Sequence, residues 1–202
     1  MKAKILISVM LYATVVVAAA QDVSQKSVFG FTIGKPVSLP ECSRQVIGKS
    51  VFYYGFTNFT CFGSSNPKIE PSSISSDIYS IYFPVQDKPN LVSGTSIVMV
   101  ILDGVLEGIS FNTAGISTQD VTLTALKGKF GVPTEIKPLK VQNKLGASFD
   151  TFFASWALPG LIVQFSPTTG VLDSGLVEVQ TPKAKEYVET RRRAALKDPR
   201  PM

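Results

Sequence analysis

The feature that most constrains this chain is a succession of short apolar segments, alternating in character and separated by turn signals. Ser96–Leu102 and residues 105–111 flank Asp103-Gly104, a pair that favours two consecutive left-handed residues and so closes a two-residue hairpin. Upstream, Ile78, Ser80 and Tyr82 alternate with Tyr79, Ile81 and Phe83. Downstream come four further strand candidates, at 135–142, 149–158, 161–165 and 176–180. Pro159-Gly160 joins the second to the third, and Leu172-Asp173-Ser174-Gly175 turns the chain into the last. Phe152, Ala154, Trp156 and Leu158 share one face of the second segment, and Leu161, Val163 and Phe165 continue the pattern. Alternation gives strands with one apolar face, and hairpin links make them antiparallel. The same count places Val105, Glu107, Ile109 and Phe111 on one face, opposite Leu106, Gly108, Ser110 and Asn112.

One internal helix is predicted from about Thr118 to Phe130. Ser117 is positioned to cap it, with Asp120 three residues on in capping-box position. Leu123, Leu126 and Phe130 recur at helical spacing, with Val121 and Ala125 near that face. Gly131-Val132-Pro133 stops the helix. A second helix opens at Thr181-Pro182, a cap residue before proline at the first helical position, and runs to Lys197. Its apolar stripe of Ala184, Tyr187, Val188 and Ala195 is thin. Glu189 is placed to pair with Arg193, and Arg191, Arg192 and Arg193 sit toward the end where the helix dipole favours cations.

The N-terminal part is less regular. A short strand is expected at 28–34, a proline-rich stretch at 35–42, a strand at 51–62 and a loop at 63–76. The chain therefore reads as an α+β protein, mainly antiparallel sheet, with one internal helix packed on it and a polar C-terminal helix. Its parts are a processing segment (1–20), an N-terminal part (21–95), a strand–helix–strand part (96–181) and a basic helix and tail (182–202). Two similar subdomains are conceivable, because Phe31-Thr32-Ile33-Gly34-Lys35-Pro36 and Phe111-Asn112-Thr113-Ala114-Gly115-Ile116 each precede a possible helix and long aromatic strands.

Residues 1–20 read as a secretory signal: a basic start at Lys2 and Lys4, an apolar run from Ile5 to Val17, and small residues ending at Ala20, where cleavage is expected. The apolar run is shorter than the ~20 residues that cross a bilayer. Periplasmic or secreted location follows as an expectation, with no transmembrane span in the mature chain. Losing Lys2 and Lys4 reduces the 20 basic residues to 18 against 15 acidic, a net charge of about +3. So small an excess gives no reason to expect a nucleic-acid partner. In an oxidising compartment Cys42 and Cys61, the only cysteines, are expected to form a disulfide. Two buried thiols or a redox pair are the alternatives, and the spacing lacks the Cys-x-x-Cys form that redox pairs usually take.

Residues 106–142 hold a strand, a capped helix ending in Lys129-Phe130-Gly131-Val132-Pro133, and another strand. About a fifth of the chain, this segment resembles small exported bacterial domains of the beta-lactamase-inhibitor-protein and SmpA/OmlA outer-membrane-assembly type. The resemblance implies helices packed on an antiparallel sheet, binding of proteins or envelope components, and no catalytic residues. The first half departs from that pattern, with Pro36 and Pro40 where a helix would be wanted.

The chain has no histidine, which excludes a Ser-His-Asp or Cys-His engine, an HExxH zinc site and a zinc finger. Asp103 and Glu107 are the carboxylate pair to weigh for acid–base work, which needs both in one cleft with pKa values driven apart; Asp103 is also explained by its turn. Ser65 and Lys68 have the letters of a serine–lysine dyad, but Pro67 argues against the helix that chemistry uses. The acidic residues are too scattered for a calcium loop. No metal or cofactor is expected. Asn58-Phe59-Thr60 matches an N-glycosylation acceptor, meaningful only in a eukaryotic secretory pathway.

Two surfaces remain as candidates. One is the aromatic set Tyr53, Tyr54, Phe56, Phe59, Tyr79 and Tyr82, of a kind typical of protein interfaces. The other is the basic C-terminal helix, Lys183, Lys185, Arg191, Arg192, Arg193 and Lys197 with Arg200, which suits peripheral contact with an anionic surface. The expected function is an exported, non-enzymatic domain that binds another exported or envelope protein. The alternatives are a histidine-free hydrolase using carboxylates or a Ser–Lys pair, and a structural or self-assembling envelope component.

Overall fold

A computed structural model describes residues 25–48, 50–54, 58–64, 74 and 76–197. The expected signal segment, Phe56, Ser65, Lys68 and Arg200 lie outside them. The architecture is α+β. Among the described residues eight strands form one antiparallel sheet, with helices of 12 and 16 residues and two small ribbons beside it.

In chain order the strands are β1 (Ser27–Val28), β2 (Phe31–Thr32), β3 (Ser43–Ile47), β4 (Ser50–Tyr54), β5 (Cys61–Ser64), β6 (Asp77–Tyr82), β7 (Ser96–Leu102), β8 (Val105–Thr113), β9 (Glu135–Gln142), β10 (Ser148–Leu158), β11 (Leu161–Ser166) and β12 (Gly175–Gln180). The helices are α1 (Gln119–Phe130) and α2 (Pro182–Lys197). The main sheet runs β5-β6-β7-β8-β12-β11-β10-β9. It is thus two four-stranded meanders joined through their last strands, β8 and β12. The β7–β8 turn is as expected, with Asp103 at φ 53° and Gly104 at φ 75°, both left-handed. At the seam Gly175 leaves room for Thr113, whose Oγ1 would lie 2.4 Å from any added Cβ.

One face of the sheet carries the main core. Tyr79, Ile97, Met99, Ile109, Phe111, Val163, Phe165, Trp156 and Val179 are buried there with Leu126 and Phe130 of α1. Trp156 Nε1–H donates to the Gly131 carbonyl at 2.8 Å, tying the C-terminal end of α1 to β10. Gly131 ends the helix at φ 83°, as expected. On the opposite face α2 covers Val100 and Leu102 with Ala184, Tyr187 and Val188.

Several expectations need correction. In place of one strand at 28–34, β1 and β2 form a two-strand ribbon in which Ser27 pairs with Thr32 and Val28 with Phe31, turned at Phe29 and Gly30. Strand β3 was not expected, and 51–62 is divided between β4 and β5. Within β8 the pairing jumps from Val100↔Gly108 to Ile101↔Leu106, so Glu107 is the extra residue of a bulge. The bulge shifts the alternation, and Leu106, Ile109 and Phe111 face the core. On α1 it is Thr122 that is buried, while Val121 is 68% exposed. The expected cap is not made: a 3-10 turn at Gly115–Thr118 precedes α1, and the Ser117 hydroxyl donates to the Ala114 carbonyl instead.

The two edges of the sheet are closed differently. Beside β5, Cys42 N–H donates to the Phe62 carbonyl at 2.9 Å and Phe62 N–H to the Pro40 carbonyl at 3.0 Å. The Cys42–Cys61 disulfide locks this extra strand-like segment in place. At the other edge β9 carries Pro138 and the exposed Lys137 and Lys140, residues that discourage further strand addition.

Candidate interaction surface

The β3–β4 ribbon is anchored by its half-buried face and open on the other. The Tyr53 hydroxyl donates to the Ser64 carbonyl and accepts from the Ser64 N–H, both at 2.7 Å. Its ring lies over Gly63, where any Cβ would come within 2.8 Å of the ring atoms, and 6.1 Å from the Tyr82 ring. The register pairs Ser43 with Tyr54, Gln45 with Phe52 and Ile47 with Ser50, and because side chains alternate across a ribbon these six share the face opposite Tyr53. All six are exposed. Ile47, Phe52 and Tyr54 are 58%, 54% and 55% exposed, and no residue of this face carries a charge. Phe59 adds a further exposed aromatic nearby in sequence, beside the exposed Asn58.

The four tyrosines of the predicted surface therefore separate. Tyr54 is on the open face, and Tyr53 and Tyr82 are half-buried supports. Tyr79 is fully buried, edge-on to Phe62 at 5.5 Å, and is not a surface residue. In β6 both faces carry large side chains, so only the cross-strand register decides that Tyr79 points inward.

The arginines divide in the same way. Arg191 bonds Asp77 and, at 3.1 Å, the Tyr187 hydroxyl, and its guanidinium lies 5.7 Å from the Tyr187 ring. The Asp77 hydrogen bond raises the Arg191 pKa further. Arg191 is a fastener for α2, whereas Arg192 is exposed and Arg193 pairs with Glu189 at 4.0 Å.

The carboxylate pair does not converge on a cleft. Asp103 Oδ2 accepts from Lys183 Nζ at 3.0 Å, and the Asp103 backbone N–H donates to Ser76 Oγ at 2.8 Å. Lys183 holds the Asp103 carboxyl below the usual carboxylate range, and Asp103 raises Lys183 in return. Glu107, projected by the bulge, accepts from the Thr181 hydroxyl at 2.7 Å, while its carbonyl accepts from the Thr181 N–H at 2.8 Å. Thr181 in turn accepts from Ala184 N–H at 3.2 Å, the bond of a helix N-cap. Both carboxylates thus fix the first turn of α2.

Among the described residues no group of three or more metal-ligating side chains gathers, and no helix is long and apolar enough to cross a membrane. No protein-family model, curated protein or solved structure matches the chain.

Proposed function

We propose that the protein is an exported, non-enzymatic binding domain that docks another exported or envelope protein through the open face of the β3–β4 ribbon. The observation that carries this reading is an uncharged strand face presenting Ile47, Phe52 and Tyr54, each more than half exposed. Half-exposed aromatics of 150–250 Å² leave roughly 100 Å² each, so the patch reaches the few hundred Å² at which exposed apolar surface marks an interaction site. Its composition of Tyr, Phe and Ile between Ser and Gln suits a protein partner. The half-buried Tyr53 gives it a rigid base, which lowers the ordering cost of docking. The resemblance of 106–142 to exported binding domains, secretion and periplasmic location belong to the same proposal.

The test is a photo-crosslinking residue at position 52 in the exported protein, compared with one at Val132 on the far side of the sequence. A repeatable protein adduct specific to position 52 is expected, and Tyr54→Ser together with Ile47→Ser abolishes it while leaving the unfolding midpoint in place. An adduct pattern identical at both positions, or one insensitive to those substitutions, defeats the reading.

A further inference from the structure

Three consecutive arginines on α2 do three different things. Arg191 bonds Asp77, and Arg193 pairs with Glu189. Arg192, between them, lines a cavity of about 210 Å³ together with Val188, one helical turn back. A further turn back is Ala184, fully buried against Val100 and Leu102 of the sheet. A Cβ on Gly108 would come within 3.3 Å of the Ala184 Cβ and 3.1 Å of the Gln180 Cβ. Gly108 also lines the cavity, so glycine here lets the helix sit close to β8 and leaves the space beside it clear.

The floor of the cavity is sheet. Ile78, Val98 and Leu176, from β6, β7 and β12, give it an apolar part. Glu178 of β12 stands among them, half-buried, and the register sets its neighbours on the same face. Ser110 of β8 lies on one side and Gln164 of β11 on the other, with Leu176 and Gln180 two positions away along β12. None of the four carries a charge. The carboxylate therefore finds no cation among its sheet neighbours, and the cation that borders the same space is Arg192, on the helix wall. Gln180 is 6% exposed and lines the cavity as well, so a side-chain amide more than nine-tenths buried adds a donor and an acceptor.

We infer that this cavity binds a free α-amino acid with a branched apolar side chain. The two charges suit the two ends of a zwitterion. Glu178 takes the ammonium, and Arg192 takes the carboxylate as a two-pronged donor. The Gln180 amide and the Ser110 hydroxyl complete the polar contacts, and the ligand's side chain lies over Ile78, Val98, Leu176 and Val188. Size selects the class. About 210 Å³ is below the roughly 300–1,000 Å³ of pockets for drug-sized ligands, which leaves room for one residue and not for a peptide or a sugar chain. An amine or a carboxylic acid alone would leave one of the two charges unanswered. The cavity shares no residue with the β3–β4 ribbon, so the site stands whatever the ribbon binds.

The exported protein, disulfide intact, is titrated with L-leucine while the amide resonances of Ser110, Glu178 and Val188 are followed. Glycine, leucinamide (which lacks the carboxylate) and isocaproate (which lacks the ammonium) form three further arms. Saturable shifts at those amides are expected with leucine, and binding at least about tenfold weaker with each of the other three. Glu178→Gln and Arg192→Gln should each weaken leucine by about tenfold, whereas Arg193→Gln should leave it unchanged. Glu178→Gln should further weaken leucinamide but not isocaproate, and Arg192→Gln the reverse, a crossover that a misfolded variant does not give. Shifts that do not saturate, any of the three analogues binding as tightly as leucine, or an Arg192→Gln effect no larger than that of Arg193→Gln would overturn the site.

Discussion

Replacing both Cys42 and Cys61 with alanine tests how the N-terminal part is held. The bridge closes 19 residues, and loop-closure entropy for a loop of that length gives about 3 kcal/mol. The two cysteines are 2% and 0% exposed, so lost packing adds to the loop contribution. With a urea m-value of roughly 2 kcal/mol per molar, the midpoint should fall by about 1.5 M. The loss should also be local. The Pro40–Cys42 segment pairs beside β5 through the Cys42 and Phe62 N–H bonds. Hydrogen exchange at those two amides should therefore rise far more than at Val163 or Val179 in the second meander. Equilibrium urea unfolding followed by tryptophan fluorescence, with exchange mass spectrometry alongside, measures both effects. A midpoint shift under about 0.4 M, or exchange raised equally throughout the sheet, refutes the reasoning.

Three other outcomes follow from the packing. Gly115 sits at φ 72°, and an added Cβ would lie 2.1 Å from the Leu172 carbonyl oxygen; Gly115→Ala should cost more than about 3 kcal/mol, read as a urea midpoint. Pro138 stands in an edge strand, where a proline nitrogen is tolerated only on the free side. Pro138→Thr restores that donor between the exposed Ile136 and Leu139, and the variant should sediment as larger species than the parent at equal concentration. The Asp103–Lys183 contact depends on both charges. Asp103 is lowered, so its contribution is present above the ordinary carboxylate pKa and lost as pH falls below about 4. Lys183 is raised, so its contribution is present below the ordinary lysine pKa and lost as pH rises past it. Exchange in the first turn of α2 should therefore accelerate beyond its intrinsic pH dependence at both extremes, and Asp103→Asn should abolish the acid limb.

Much of the sheet was legible because period-two alternation and hairpin turns are local signals. Asp103-Gly104 and Pro159-Gly160 mark their turns without help from the rest of the chain. The bulge at Glu107 was not legible, because which residue is extra depends on the partner strand β7. Tyr79 was misplaced for a related reason: Ile78, Tyr79, Ile81 and Tyr82 suit either face, and a one-residue choice of phase exchanges inside for outside. The half-exposed β3 lacks an apolar run of its own. As for the ribbon face, aromatic composition singled out this segment, but only the register separates Phe52 and Tyr54 from Tyr53. The helix start was readable in type, yet the 3-10 turn at Gly115–Thr118 diverts the hydroxyls that would have capped it.

The seam between the two meanders also bears on how the chain reaches this structure. Within each meander, strands pair with their sequence neighbours, but β8 and β12 must find each other across the whole second meander, as with Phe111 opposite Val177. Loop closure of that kind comes before any contact that rewards it, and it slows folding. This connectivity predicts a late docking of two locally built halves, so substitutions at seam side chains such as Val177 and Ile109 are expected to slow folding. Because the outer hairpins, β9 with β10 among them, are built before that docking, substitutions that weaken them are expected to slow folding rather than to speed unfolding.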